Sequence, residues 1–308
     1  MSKYVLLFSG QGAQKVGMAK DWFEHSDTAR NMVAAADAAL GFSLSEVMFE
    51  GPDEELTKTS VCQPALYLHG LIALALLKER IPGLEPIAAA GLSLGEFTAH
   101  AAAGTFSFED GLRLVARRGE FMQEACEATQ GAMAAMIGGD EEQVRALATA
   151  CDVDVANLNA PGQIVLSGSI DGIDAVVEKA KDFGIRRAIK LNVAGAYHSR
   201  LMQSAKDKLA AELAATTILS PSIPVVGNFP ASVVSDPAEV RTTLTEQVTG
   251  SVRWVESIRL LREMGHTTFL ELGPGKVLAG LLAKIDKDAI VHSIEDLASL
   301  EAAVEALS

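Results

Sequence analysis

The chain has 308 residues, 49% of them hydrophobic, which is enough for one large domain and a smaller one with a substantial core. Its net charge of -14 argues against nucleic acid and anionic membranes as partners, because like charges repel at long range. The three cysteines form no CxxC pair and are odd in number, which argues against a disulfide framework and a cysteine zinc site. We expect neither a metal nor a resident cofactor.

The N-terminal sequence MSKYVLLFSGQG lacks the apolar core of a signal peptide. The longest nearly apolar run, Pro64 to Leu77, is shorter than the roughly 18 residues that a membrane-spanning helix needs. We therefore expect a protein of the cytoplasm, and we separately expect it to be a monomer.

The first 125 residues alternate short apolar strands with helices. The strands are expected at YVLLF and IAAAG, and the helices over 64–80 and 108–126. Alternation of this kind predicts a parallel sheet that is covered by helices on both faces.

From about residue 131 the pattern becomes strand, helix, two strands around the turn APG, helix and strand. This order, βαββαβ, is typical of a ferredoxin-like unit. Helical and strand segments of the first kind then resume after residue 196. The sequence therefore predicts an α/β fold with two domains. The large α/β-hydrolase-like domain with a parallel sheet covers 1–127 and 196–308, and an inserted small ferredoxin-like domain covers 128–195.

The segment GLSLGE, residues 91–96, places Ser93 between two glycines, directly after a predicted strand and before a predicted helix. Glycines at these positions allow a sharp turn that larger side chains would block. Such a turn exposes Ser93 at the carboxyl edge of the sheet and directs the first free N–H groups of the helix toward the atom that Ser93 attacks. We interpret Ser93 as a nucleophile.

A serine nucleophile needs a base, most often a histidine. The chain offers six: His25, His69, His100, His198, His266 and His292. His100 lies two helical turns beyond Ser93, roughly 10 Å away, which is too far for proton transfer. His198 follows the last strand of the inserted unit and can face the cleft between the domains. We predict that His198 is the base, with a structural turn histidine as the alternative.

The helix over 108–126 places an arginine on its apolar side. Ser107 and Asp110 form a candidate capping box, which fixes the phase of the helix. With that phase Arg118 shares a stripe with Phe121, so its guanidinium should be buried and needs an anion. The anion is either a carboxylate of the protein or a substrate carboxylate that is bound bidentately.

Two glycines flank Gln11 in FSGQGAQ, after the first strand. They allow the backbone to approach a ligand and place an N–H group at an oxyanion, although a plain strand-to-helix turn explains the same residues.

Eight motifs together resemble the malonyl-CoA:acyl carrier protein transacylase family and the acyltransferase domains of fatty acid and polyketide synthases. They occur in order along almost the whole chain: GQGAQ at 10–14, QPAL at 63–66, GLSLGE at 91–96, RRGEFMQ at 117–123, NAPGQIVLSG at 159–168, GAYHS at 195–199, EQVTGSVRW at 246–254 and ELGPGKVL at 271–278. This order is far more specific than the GxSxG motif alone.

The resemblance implies that Ser93 is acylated, that His198 is its base, and that a backbone carbonyl of Gln247 orients the imidazole. It also implies that Arg118 binds the malonyl carboxylate. No third-member aspartate is needed in this scheme.

By the same resemblance the backbone N–H groups of Gln11 and Leu94 form the oxyanion hole, and Gln63 and Gln163 line the pocket. The chain departs from the family pattern beside the nucleophile, where Leu92 replaces a usual histidine. It also has Ser9 where proline is usual, and neither of these two changes removes a catalytic group. Tyr197, where phenylalanine is common, is a mild change that still fits a malonyl-type pocket.

The implied activity is a ping-pong transfer of the malonyl group from malonyl-CoA to the phosphopantetheine thiol of an acyl carrier protein, for fatty acid biosynthesis. A separate acyltransferase of a polyketide synthase and a serine acyl-thioester hydrolase are alternatives, and a non-catalytic module that binds a carrier protein is a more distant one.

Both partners are acidic, so a basic surface is expected. The basic side chains after the inserted helix, Arg186, Arg187, Lys190 and Arg200, could dock the carrier protein or could simply be solvated.

Overall fold

The computed structural model describes residues 4–307, which form ten strands and 14 α-helices. The strands are β1 Tyr4–Phe8, β2 Pro86–Gly91, β3 Gly131–Ile137, β4 Asp154–Ala160, β5 Gln163–Ser169, β6 Arg187–Lys190, β7 Val225–Val226, β8 Val233–Val234, β9 Thr268–Leu272 and β10 Ile290–Ile294. The helices of the first part are α1 Lys20–His25, α2 Asp27–Leu40, α3 Leu44–Glu50, α4 Asp53–Thr57, α5 Thr59–Arg80, α6 Leu94–Ala102 and α7 Phe108–Ala128. The later helices are α8 Glu141–Ala150, α9 Ile170–Lys179, α10 Gln203–Ala215, α11 Pro237–Glu246, α12 Trp254–Glu263, α13 Val277–Ile285 and α14 Leu297–Leu307.

The larger sheet has six strands in the order β10-β9-β1-β2-β7-β8. Its neighbours pair in parallel except for β8, which runs antiparallel to β7. The predicted α/β fold with a parallel sheet is confirmed.

The smaller sheet has four antiparallel strands in the order β4-β5-β3-β6, with α8 and α9 between strands along the chain. This order of a βαββαβ unit is the predicted ferredoxin-like one. All four strands lie between Gly131 and Lys190, inside the segment 128–195. The exact domain boundaries stay a prediction.

The side chains of the central strand β1 alternate between the two faces of the large sheet, and the core forms on both faces. Leu6 and Phe8 point to one face of the large sheet and pack in a cluster with residues of α5 and α7, whereas Val5 and Leu7 point to the other face and pack with Trp254. A third cluster lies between the small sheet and its two helices. Apolar burial on both faces stabilises the parallel sheet, as such sheets require.

Among the described residues one helix, α5, is long and apolar enough to cross a membrane, and 83% of its most apolar window is buried inside the structure. The helix is longer than the apolar run from Pro64 to Leu77 because it extends into polar residues at both ends. Its burial is that of a core helix, packed against α6 and α7.

The parallel strands bring three turns to one edge of the large sheet, namely those after β1, β2 and β9. The small sheet is joined to the same region, because Leu158 donates to the Val252 carbonyl at 2.9 Å and the Val252 N–H donates to the Ala156 carbonyl at 2.8 Å. The carboxyl ends of the strands therefore face the small sheet across a cleft.

Candidate active site

Ser93 occupies the sharp turn that links β2 to α6. Its φ of 55° and ψ of -108° lie outside the regions that ordinary residues favour. A Cβ on Gly91 would lie 2.0 Å from the Gly95 carbonyl carbon, and a Cβ on Gly95 would lie 2.2 Å from the Phe8 oxygen. The two glycines are therefore required because strand and helix pack backbone against backbone, as GLSLGE predicts.

His198 lies beside Ser93, in the turn that follows β6. Its Nε2 is 2.8 Å from Ser93 Oγ, and its Nδ1 is 2.9 Å from the Gln247 carbonyl oxygen. Because a carbonyl can only accept, Nδ1 carries the hydrogen and Nε2 is left to accept the serine proton. The geometry is that of a nucleophile, a base and a backbone group that orients the base.

The imidazole of His198 is buried, and burial is the main cause that lowers its pKa from 6.5 to about 4. The positive charge of Arg118 lowers the pKa further, while the backbone groups of Gln247 and Gly250 oppose the shift. The side chain is consequently neutral at pH 7, which is the form that can take a proton.

Arg118 is 1% exposed, on the predicted apolar side of α7, whose start is capped by the Ser107 side chain. Its Nη1 donates to Gln63 Oε1 at 2.7 Å, and its Nη2 donates to Gln247 Oε1 at 2.8 Å and to Ser93 Oγ at 3.1 Å. Burial lowers its pKa to about 10, so it stays protonated at neutral pH.

The charge of Arg118 thus meets neutral partners, and it forms no salt bridge with any carboxylate of residues 4–307. Of the two anions that the sequence left open, a carboxylate of the protein is not in contact. A cation beside the nucleophile is therefore available for a substrate carboxylate.

The Gln11 side chain donates to Thr59 Oγ1 at 3.2 Å, and Thr59 Oγ1 lies 2.6 Å from the Tyr197 hydroxyl. This bridge connects the turn after β1 with the turn that carries His198. Leu94 is the first residue of α6. Within the described chain the N–H groups of Gln11 and Leu94 donate to no protein acceptor, so both are available to a ligand.

A cavity of about 480 Å³ lies between the two lobes and includes Ser93 and His198 in its wall. Gln163 lies in the same wall, where its Oε1 accepts from Lys284 Nζ at 2.9 Å. Gln63 instead lies behind the site, on Arg118. The remaining cavity residues from the small lobe and its connection are Met133, Asn157, Asn159, Val165, Leu191, Asn192, Val193, Ala194 and Tyr197.

The sequence matches the acyl transferase domain family over residues 5–301. The chain belongs to the acyl transferase family. This acyltransferase is 42% identical to the malonyl CoA-acyl carrier protein transacylase of Bacillus subtilis, over 100% of this chain and 98% of the relative.

The comparison with solved structures points to the same family. The malonyl CoA-acyl carrier protein transacylase of Clostridium perfringens is 36% identical, with a TM-score of 0.95 over 99% of this chain and 97% of the other. A malonyl-transacylase in complex with a type II PKS acyl-carrier protein is 35% identical, with a TM-score of 0.95 over 99% of this acyltransferase and 100% of its own chain. The resemblance drawn from the eight motifs is confirmed.

Two side chains of the acyltransferase site were not predicted from the sequence. Asn228 accepts from the Ser93 N–H at 2.6 Å through Oδ1 and donates to the Gly91 carbonyl at 2.7 Å through Nδ2. Glu96 is fully buried, and its Oε2 accepts from the Asn228 N–H at 3.0 Å and from Gln247 Nε2 at 2.7 Å. The sequence held a signal for Glu96, namely an acidic residue within the apolar start of a predicted helix. It held no such signal for Asn228, which is a single asparagine after a strand of two residues.

Burial raises the pKa of Glu96 to about 7, while its two hydrogen bonds and the charge of Arg118 favour the ionised form. Its second oxygen, Oε1, is buried and has no hydrogen-bond partner among residues 4–307. A proton on Oε1 therefore leaves both hydrogen bonds to Oε2 intact.

The remaining buried histidines lie apart from the acyltransferase centre. His69 contacts the Glu295 carbonyl at 3.1 Å and stacks near Trp22, and His100 contacts Thr105 Oγ1 at 3.2 Å. Burial lowers the pKa of each, to about 4 for His69 and about 3 for His100, so both are neutral core residues.

The proposed basic surface is smaller than the sequence suggests. Arg200 binds the carboxylates of Asp152 and Asp154, and Lys190 binds Asp174 at 2.6 Å. Both charges are paired with carboxylates of the small lobe, and Arg200 ties the turn after His198 to β4. Two further arginines, at 186 and 187, are exposed and form no ion pair within the described range.

Proposed function

We propose that this acyltransferase moves the malonyl group from malonyl-CoA to the phosphopantetheine thiol of an acyl carrier protein, and so supplies fatty acid biosynthesis. One observation carries the proposal: a buried, protonated Arg118 lies 3.1 Å from the oxygen of a serine that is already paired with a neutral histidine. The names of the relatives from Bacillus subtilis and Clostridium perfringens support the same donor and acceptor.

In the first half-reaction Ser93 Oγ attacks the thioester carbonyl carbon, and His198 Nε2 takes the hydroxyl proton. Negative charge that develops on the carbonyl oxygen is stabilised by the N–H groups of Gln11 and Leu94. The carbon–sulfur bond then breaks, the proton passes from His198 to the CoA sulfur, and a malonyl ester of Ser93 remains.

In the second half-reaction the thiol of the carrier protein's phosphopantetheine attacks the ester carbonyl while His198 takes the thiol proton. The ester bond breaks and the proton returns to Ser93 Oγ, so the enzyme is regenerated. The scheme needs no metal or cofactor of the enzyme's own, because the phosphopantetheine belongs to the partner.

Arg118 explains the choice of donor. A malonyl group ends in a carboxylate, which the guanidinium can bind bidentately once it exchanges its contact with Ser93 for the substrate. A hydrolase of neutral acyl chains would bury this charge without use. A polyketide carrier is a second candidate acceptor, because one similar enzyme was solved with such a carrier.

We further propose that the enzyme works in the cytoplasm as a monomer. The three cysteines of the described chain are free thiols, which is the state expected in a reducing compartment.

The experiment is to incubate the enzyme with malonyl-CoA and a phosphopantetheinylated carrier protein and to compare malonyl-carrier with free malonate by mass spectrometry. We expect malonyl-carrier in large excess and a malonylated Ser93 when the carrier is omitted, with neither product in Ser93→Ala. Mostly free malonate would identify a hydrolase. A malonylated Ser93→Ala protein would place the nucleophile elsewhere.

A further inference from the structure

The peptide groups on both sides of the strained Ser93 are held by side chains from distant segments. The Ser93 N–H donates to Asn228 Oδ1 at 2.6 Å, and the Ser93 carbonyl accepts from Gln247 Nε2 at 2.9 Å. A positive φ costs free energy and persists only where the surroundings impose it. Asn228 and Gln247 are among the groups that hold it here.

The backbone of Asn228 and the side chain of Gln247 are held by one oxygen atom. Glu96 Oε2 accepts from the Asn228 N–H at 3.0 Å and from Gln247 Nε2 at 2.7 Å. Glu96 lies one helical turn after Ser93, so a single short helix carries both the nucleophile and this acceptor. The room for the carboxylate comes from Gly227, where a Cβ would lie 3.2 Å from Glu96 Oε1.

Gln247 extends the network to the other reacting groups. Its amide can direct Oε1 to Arg118 only while its Nε2 points the opposite way, toward Glu96. Its backbone carbonyl accepts from His198 at 2.9 Å. Glu96 Oε2, together with the Ser93 carbonyl, therefore selects the amide orientation that Arg118 needs.

We propose that Glu96 is a positioning residue of the acylation step, which holds Asn228 and Gln247 and thereby fixes Ser93, His198 and Arg118 relative to one another. It acts as a hydrogen-bond acceptor, and one oxygen, Oε2, makes both contacts. The inference rests on the proposed function, because the event that it concerns is the acylation of Ser93.

The test compares Glu96→Leu with Glu96→Gln in rapid-mixing acylation by malonyl-CoA. The burst amplitude counts competent active sites, and the burst rate constant reports positioning in those sites. We expect Glu96→Leu to lower the rate constant per site at least about tenfold, because misplacement of reacting groups by about 1 Å costs up to a hundredfold. Glu96→Gln keeps an oxygen at the position of Oε2 and should stay within about threefold of the wild type.

His100→Leu is the matched control, because His100 is a fully buried polar residue on the same helix that contacts Thr105 and not the site. It should lower the burst amplitude or the melting temperature without changing the rate constant per site. A rate constant for Glu96→Leu within twofold of the wild type overturns the proposal. Equal losses in the Leu and Gln variants also overturn it, since the acceptor would then not be what matters.

If Glu96→Leu fails to fold, Asn228→Ala is the variant that tests the proposal. It leaves Glu96 in place and removes the hydrogen bond that the Asn228 side chain accepts from the Ser93 N–H. A lowered rate constant per site supports the proposal, and an unchanged one overturns it. Wild-type enzyme that is never acylated by malonyl-CoA would instead contradict the proposed function, which separates the two failures.

Discussion

At the scale of single residues, Arg118 is the group that separates this site from a general serine esterase. It is buried, it is protonated at neutral pH, and its hydrogen-bond partners in the described protein are amide and hydroxyl groups only. The guanidinium already lost its water shell when the protein folded. A carboxylate that binds it therefore does not have to offset that desolvation cost again.

Replacement of Arg118 by alanine should therefore lower kcat/KM for malonyl-CoA by about a hundredfold or more, because truncation of a buried charge pair costs about 2–5 kcal/mol. Acetyl-CoA has no carboxylate, so its rate should change only a few-fold. Arg113→Ala, on the exposed side of α7, is the control and should change neither rate. Equal losses with both donors would show that Arg118 supports only the fold.

His198 predicts the pH dependence of acylation. Its pKa is lowered from 6.5 to about 4, so the neutral base persists as the pH falls through 6.5 and is lost only as the pH approaches 4. We expect kcat/KM for malonyl-CoA to stay level from pH 8 down to about one unit above that pKa, and to decline only below that point. An inflection near 6.5 would mean that the imidazole is solvated in the working enzyme.

At the scale of elements, the bridge of Gln11, Thr59 and Tyr197 joins the turn after β1, the start of α5 and the turn after β6. The phenolic oxygen is the atom that phenylalanine would lack at this position. Because Gln11 supplies a proposed oxyanion donor, a loosened bridge should affect the transition state more than substrate binding.

Tyr197→Phe should accordingly lower kcat by about tenfold with little change in KM. Thr59→Val should have a similar effect, and the double variant should be no worse than either single one, since both break the same bridge. Tyr67→Phe removes another buried hydroxyl, which donates its hydrogen bond to the Phe108 carbonyl outside the site, and serves as the control. Fully additive losses would show that the two residues act separately.

At the scale of the whole molecule, the cavity is formed by both lobes, so a ligand in it contacts each of them. A ligand that binds only the folded state stabilises it by about 2.7 kcal/mol at a concentration of 100 times Kd. Ser93→Ala should bind malonyl-CoA without turnover and melt at a higher temperature as the ligand concentration rises. The double variant with Arg118→Ala should lose most of this shift, and an equal shift in both variants would place the ligand elsewhere.

Much of the acyltransferase was readable in the sequence because its signals are local. The turn at Ser93 follows from two glycines at fixed spacing, and the burial of Arg118 follows from the phase of one helix. The order of strands and helices in the small sheet was also predicted. Several other elements were not predicted one by one, namely the strands β7, β8 and β10 and the helices α1 to α4, α11, α12 and α14.

The sequence by itself determined the sharp turn at Ser93, the buried guanidinium of Arg118 and the α/β fold, because each depends on residue type and on spacing of a few positions. That Ser93 is the nucleophile and His198 its base stays a prediction. Only the tertiary structure decided that Asn228 and Glu96 belong to the site, and that Arg200 is committed to Asp152 and Asp154. The physical reason is distance along the chain. Contacts between residues that are 46 to 151 positions apart exist only once the sheet brings them together, and no local pattern records them.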